Sequence, residues 1–192
     1  PLWKPVLPKK IFLSQCVAHS ENFLPEQWDK DNDAATACGM CDIPELQEQK
    51  PFELCFQENG HVAVYGASGS GKTWISNAFG VNACMERYRV QYIRLPDLFQ
   101  EIEEAKIQGH YKKYMKKLSK VDLLILDEFL LTTISECERN DLFEVIQSRT
   151  DKKSTIYCSQ WAPEGWLGKL GDGPLADAIL DRIRNSSYTI LL

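Results

Sequence analysis

No stretch of this 192-residue chain comes near the roughly eighteen consecutive apolar residues that a membrane span requires, so no membrane association is expected. A basic-then-apolar leader is missing at the start, which leaves secretion without support. The first residue is Pro1 rather than Met, which reads as a trimmed fragment. Internal repeats and low-complexity tracts are absent too, so solenoids and long flexible linkers are set aside. Histidine is scarce, with three in all; His61 and His110 have no visible partners, and nothing resembles a hydrolase triad. Positive charge is in deficit, 22 Lys and Arg against 27 Asp and Glu, for a net charge of −5. That balance excludes coating of nucleic acid by the whole surface and leaves room only for a local basic patch.

What is present is ordinary for one globular domain with a full core: 44% hydrophobic and 26% charged residues. The seven cysteines, in a chain without a leader, read as reduced thiols of a cytoplasmic protein. Of these, Cys55, Cys84, Cys137 and Cys158 read as small buried apolar residues.

Residues 1–57 are Pro-rich, then polar and turn-rich, and read as an N-terminal arm or small module. From His61 a regular alternation begins. "HVAVYG", "VQYIRL" (90–95), "VDLLILDE" (121–128), "STIYCS" (154–159) and "SYTILL" (187–192) read as strands. Helices are expected from Lys72 to about Tyr88, from Pro96 to Gln108, over 110–120, over about 135–149 and over 174–185. Apolar strands alternating with helices specify an α/β fold, a mainly parallel five-stranded sheet in a three-layer sandwich. Residues 58–192 form this second domain, with no evident C-terminal lid.

"GASGSGKT" matches the phosphate-loop pattern G-x-x-x-x-G-K-[ST] in full and follows an apolar strand, as that loop must. Gly66, Ala67, Ser68, Gly69, Ser70, Gly71, Lys72 and Thr73, with Trp74 after them, are the expected nucleotide-binding set. Backbone N–H groups cradle the phosphates, Lys72 reaches the β and γ oxygens, and the Thr73 hydroxyl ligates Mg²⁺. "LLILDE" then places Asp127 and Glu128 at the carboxyl end of a buried strand, where ligands of open parallel sheets sit. Asp127 is the Mg²⁺ partner of Thr73, and Glu128 can polarise a water for attack on the γ-phosphate. One strand intervenes in sequence between these two, so the fourth strand is expected to be inserted between them in space. Its end delivers Ser159 or Gln160 to the phosphate. In "LADAILDRIRN", Arg182 is the candidate arginine finger for a neighbouring subunit, while Arg184 reads as part of a solvated face.

Taken together, "GASGSGKT", "VDLLILDE", "STIYCSQ" and "LADAILDRI" resemble the IstB/DnaC-like branch of the AAA+ P-loop ATPases, over roughly residues 58–192. That family includes bacterial helicase loaders and ATPase helpers of insertion-sequence transposition. The resemblance implies ATP and Mg²⁺ as cofactors, ATP-dependent homo-oligomers on DNA, and a replicative helicase or a transposase as protein partner. It also implies an extra helix, mapping to about 97–119, that lines the DNA path. The chain departs from the family at Phe129-Leu130, where many relatives have a Gly and an aromatic, and at Ser159-Gln160, where an Asn is usual.

Helical spacing over 110–120 puts Tyr111, Tyr114, Met115 and Leu118 on one face and Lys112, Lys113, Lys116, Lys117 and Lys120 on the other. The lysines either balance Asp97, Glu101, Glu103 and Glu104 on the preceding helix or track DNA phosphates; the family's extra helix favours DNA. Cys38 and Cys41, with Cys16 and His19 upstream, have zinc-ligand spacing, but the glycine of a zinc knuckle occurs only once and free thiols are favoured. Two rivals remain to ATP-driven DNA remodelling: a nucleotide-gated adaptor that hydrolyses little, and a small-molecule kinase, which lacks an Arg-rich lid segment. No ABC signature sequence is found.

Overall fold

A computed structural model describes residues 35–43, 46–55, 60–184 and 187–192. The chain divides into two units, Pro1–Phe56 and Gln57–Leu192. In the first, β1 (Ala35–Ile43) pairs antiparallel with β2 (Glu48–Cys55), with a bulge between Ala37 and Gly39. The sequence shows no long periodic run in this polar stretch, which reads only as an arm or small module. Gly39, Asp42 and Pro51 are poor strand formers, and the bulge breaks the alternation that would have marked the strand.

The second unit carries β3 (His61–Tyr65), α1 (Lys72–Met85), β4 (Val90–Arg94), α2 (Leu95–Ile107), α3 (Tyr111–Lys120) and β5 (Leu123–Asp127). Then come α4 (Glu136–Arg149), β6 (Ser154–Ser159), the short α5 (Leu167–Leu170), α6 (Pro174–Arg184) and β7 (Ser187–Leu191). Two helix starts have a clear local cause. Pro96 and Asp97 occupy the first turn of α2, where a missing N–H is harmless and a negative charge is favoured. A capping box opens α4: Glu138 N donates to Ser135 Oγ and Ser135 N to Glu138 Oε2.

The five strands are ordered β4-β5-β6-β3-β7, and every adjacent pair is parallel. β6 therefore lies between the phosphate-loop strand β3 and the carboxylate strand β5, as expected from the sequence. β5 and β6 are buried along their whole length, the consequence of helices on both faces. Ala63, Leu124, Leu126 and Tyr157 join Leu98, Ile102, Leu118, Leu142, Ile146 and Ile179 in one apolar cluster. α5 and the 3₁₀ turn Pro163–Gly165 were not foreseen, because three or four residues cannot display a helical period. Cys158 is buried as expected, whereas Cys84 and Cys137 are exposed. Both lie on helices whose other residues already fill the core-facing stripe, so their expected burial is corrected.

Two buried polar side chains sit at the end of the sheet away from the phosphate loop. Arg149 closes α4 and is fully buried. It donates to Leu118 O at 2.7 Å, Val121 O at 2.8 Å and Thr155 Oγ1 at 3.0 Å, and also to Ser154 O. It thus ties the end of α3 to the start of β6. Burial, opposed by Asp122 and Tyr157, lowers its pKa to about 10.

His61 opens β3, 1% exposed, with neither ring nitrogen hydrogen-bonded and its ring edge-on to Tyr157. Burial first, and then the charge of Arg149, against the pull of Asp151, lower its pKa to about 4. Between pH 6.5 and 4 the unfolded chain binds a proton there that the folded chain does not, so stability falls as pH falls through that window. Urea unfolding at pH 7 and pH 4.5 is expected to show His61→Phe losing roughly 2 kcal/mol less than the wild type over that interval. Parallel losses in the two proteins would contradict this account.

Candidate nucleotide site

The loop between β3 and α1 is built around glycines for two physical reasons. At Gly66 a Cβ would stand 2.6 Å from Leu192 O and 2.7 Å from Ser70 Oγ, so no side chain fits. At Gly71, the residue before α1, φ is +91°, a conformation that side chains resist. Gly66 N donates to Ser159 O at 3.2 Å, anchoring the loop to β6. The result is a bare cradle at the N-terminus of α1, where backbone donors and the helix dipole favour an anion. Lys72 is almost buried, and its ammonium donates to Ala67 O at 3.1 Å within the loop. Ser70 Oγ is buried with no partner, an orphan polar atom of the kind a bound phosphate satisfies.

β5 ends beside this cradle. Asp127 is 4% exposed and accepts three hydrogen bonds. Thr73 Oγ1 donates to its Oδ2 at 2.8 Å, Tyr92 Oη donates to the same oxygen at 2.7 Å, and Glu128 N donates to Oδ1 at 2.8 Å. A hydroxyl and a carboxylate in contact at the mouth of a phosphate cradle are a hard-oxygen donor set that fits Mg²⁺. The Tyr92 phenol is held far above its ordinary pKa by burial and by the Asp127 carboxylate, so it remains a donor.

Glu128 is partly exposed and takes φ +52°, a left-handed conformation uncommon for residues other than glycine. Its Oε1 lies 3.7 Å from the Arg94 guanidinium, which is itself held by Asp97 at 2.7 and 2.8 Å. Leu130 repeats the positive φ at +52° and is fully buried with Phe129. Phe129 stacks edge-on with Tyr157 and Trp166, which gives the departure at this position a packing role.

The expectation for Ser159 needs correction. Its hydroxyl is fully buried, donates to Phe129 O at 2.8 Å and accepts from Trp161 N and Trp166 Nε1. All its bonding capacity is spent inside the fold, so the exposed Gln160 is the polar side chain left at that strand end. Arg182 lies against its own chain: Nε donates to Gln147 Oε1 at 2.6 Å, Nη1 to Ala178 O, and the guanidinium caps the Phe143 ring. Arg184 is exposed and donates to Pro163 O.

The lysine face lies where the helical spacing puts it. Lys112, Lys113, Lys116, Lys117 and Lys120 are exposed, while Leu118 is buried and Tyr111, Tyr114 and Met115 pack on the core. Three of the four acidic side chains that might have balanced the lysines are engaged otherwise: Asp97 with Arg94, Glu101 with Tyr114, and Glu104 with Gln100. Among the described residues none of these five lysines forms an ion pair, no helix is long and apolar enough to cross a membrane, and no three or more His, Cys, Asp or Glu side chains cluster as a metal site would need. Cys16 and His19 lie outside the described residues; Cys38 and Cys41 fall on β1, where only the backbone is described.

Tyr92 and Arg94 were missed in the sequence. They act through register: Arg94 pairs with Asp127 across parallel strands, and no pattern within one strand discloses its neighbour. The available signal was Tyr92 and Arg94, two residues apart and so on one face of the strand, near its carboxyl end.

Residues 45–191 match the family described as IstB-like ATP binding protein. An insertion-sequence ATP-binding protein of Sinorhizobium fredii is 38% identical over 130 residues, covering 68% of this chain and 53% of the relative. The IS21 ATP-binding protein of Pseudomonas aeruginosa is 33% identical over 138 residues, covering 71% and 52%. The chain thus spans about half the length of the curated relatives it matches. Two solved structures share the fold. The DnaC helicase loader has a TM-score of 0.61 at 18% identity, with 71% of this chain and 80% of that one covered. DnaA bound to AMPPCP and single-stranded DNA has a TM-score of 0.61 at 24% identity, with 70% and 40% covered. The fold is that of an AAA+ P-loop protein, and with its phosphate loop and a family match over most of its length, the chain belongs to the IstB-like family of ATP-binding proteins.

Proposed function

We propose that the chain is the ATPase helper of an insertion sequence's transposition, binding ATP with Mg²⁺, hydrolysing it, and assembling on DNA while ATP is bound. The observation that carries the ATPase reading is the Thr73–Asp127 contact of 2.8 Å with Glu128 directly after it. The insertion-sequence relatives favour a transposase over a replicative helicase as protein partner; the seven cysteines, read as reduced thiols, favour the cytoplasm as the setting.

In this reading Lys72 leaves Ala67 O for the β and γ oxygens, and the loop N–H groups hold the remaining phosphate oxygens. Thr73 and Asp127 would hold Mg²⁺, which when bound neutralises phosphate charge and aligns the terminal phosphate. Glu128 orients the attacking water and accepts its proton, with Gln160 available at the end of the neighbouring strand β6. Arg182 exchanges its rest on Phe143 and Gln147 for the nucleotide of a neighbouring subunit, where a guanidinium stabilises transition-state charge. A nucleotide-gated adaptor with little hydrolysis is the second reading. One observation favours it: the nearness of Arg94 to Glu128 at 3.7 Å, which competes for the base.

The DNA part of the proposal rests on the lysine face of α3, which forms no ion pair among the described residues. Duplex affinity of the full chain with an ATP analogue is expected to fall steeply with salt. Changing Lys112, Lys113, Lys116 and Lys117 to Ala is expected to flatten the log–log salt slope by roughly 0.9 for each lysine that contacts a phosphate. Fluorescence anisotropy across a salt series measures it. An unchanged slope and affinity would remove α3 from the interface.

A further inference from the structure

The hydrogen bonding of Asp127 asks more of Tyr92 than packing does. Tyr92 stands on the edge strand β4 in register with Ile125, two residues before Asp127 on β5. Two residues of strand rise about 6.6 Å, the reach of a tyrosine side chain laid along its neighbour. The phenol is thereby brought to Asp127 Oδ2 at 2.7 Å. A phenylalanine would cover the same strand edge, and Tyr92 as a residue is 42% exposed, so the hydroxyl is the part that the core does not need.

The lone pairs of the carboxylate can be followed one by one. An ionised carboxylate offers about four acceptor positions, two on each oxygen. Oδ2 is filled by Thr73 Oγ1 and Tyr92 Oη, and Oδ1 takes Glu128 N. One position remains, on Oδ1. Because Thr73 spends its proton on Oδ2, both lone pairs of its own oxygen stay free for an ion.

We propose that Tyr92 is a positioning residue for the Mg²⁺ of the nucleotide site, its hydroxyl locking Asp127 so that Thr73 Oγ1 and the open position on Oδ1 face the ion. In this role it acts through Asp127, its hydrogen-bond partner. Without its hydroxyl, Oδ2 regains a free position and the carboxylate can rotate, loosening the hold of Asp127 on Thr73. The inference rests on the Mg²⁺-ATP reading above.

The test is Tyr92→Phe in the full chain, read with a fluorescent ATP analogue titrated in EDTA and again over a Mg²⁺ series. Outer partners of metal ligands typically matter by tenfold or more, so the Mg²⁺ concentration that half-saturates tight nucleotide binding is expected to rise roughly tenfold. Affinity in EDTA is expected to stay within about twofold, since no phosphate contact is lost. An unchanged Mg²⁺ requirement would overturn the inference, as would an equal loss of affinity with and without Mg²⁺, which marks a structural residue. If the wild type binds the analogue equally in EDTA and Mg²⁺, the Mg²⁺-ATP reading fails and the role of Tyr92 falls with it.

Discussion

Glu128→Gln is expected to leave ATP binding intact and to lower steady-state turnover by roughly 10²- to 10⁴-fold, the usual contribution of a placed general base. The substitution keeps size and hydrogen bonding and removes only basicity. Binding survives because the phosphate cradle is formed by the loop, Lys72 and Thr73, and Glu128 belongs to none of these. The left-handed φ of +52° at Glu128 supports the assignment. A residue in so unfavourable a conformation is kept where the surroundings determine it, and such strain gathers at functional sites. The change also frees Arg94 from its nearest carboxylate other than Asp97. A coupled-enzyme phosphate assay beside a nucleotide titration checks both halves. Turnover within about threefold of wild type would assign the base elsewhere.

Arg149→Met is expected to destabilise the fold by about 3 kcal/mol. The side chain lengths are similar, so the comparison isolates the donors more than the volume. Three carbonyls, of Leu118, Val121 and Ser154, lose their Arg149 donor, as does Thr155 Oγ1. A buried acceptor left without any donor costs about 1–3 kcal/mol, but Leu118 O keeps its bond from Val121 N at 3.3 Å, so the loss is well below the sum over all the acceptors. The buried guanidinium is itself costly, as its lowered pKa records, and that cost offsets part of the loss. Because Arg149 joins the end of α3 to β6, the same variant tests whether the lysine helix is held rigidly. Urea midpoints measure the stability change, and a shift of under about 1 kcal/mol would mean that water or repacking replaces the clamp.

Much of the nucleotide site was legible because its chemistry is local in sequence. A phosphate loop needs glycines and a lysine at fixed spacing, and a carboxylate pair at the end of an apolar strand needs only that strand. The sheet order could also be foreseen, since a strand intervening in sequence implied the insertion of β6. What was illegible depends on contacts between strands. Ser159 looked free because its partners, Phe129 O and Trp166, lie 30 and 7 residues away. Tyr92 and Arg94 looked like ordinary residues of a strand because their meaning arises only from register with β5. The role of Arg149 was hidden for the same reason, its acceptors spread over α3, β6 and the turns beside them. The hairpin of β1 and β2 escaped because its residues carry little strand preference of their own.

The central proposal is that this nucleotide site hydrolyses ATP and that the chain assembles on DNA through α3. The most direct measurement is steady-state ATP turnover of the full chain with Mg²⁺, with and without duplex DNA, over a salt series. The account predicts turnover that rises with DNA, loses that rise as salt increases, and loses it also when the α3 lysines are replaced. Tight ATP binding without turnover under any DNA condition would contradict it and favour the nucleotide-gated adaptor.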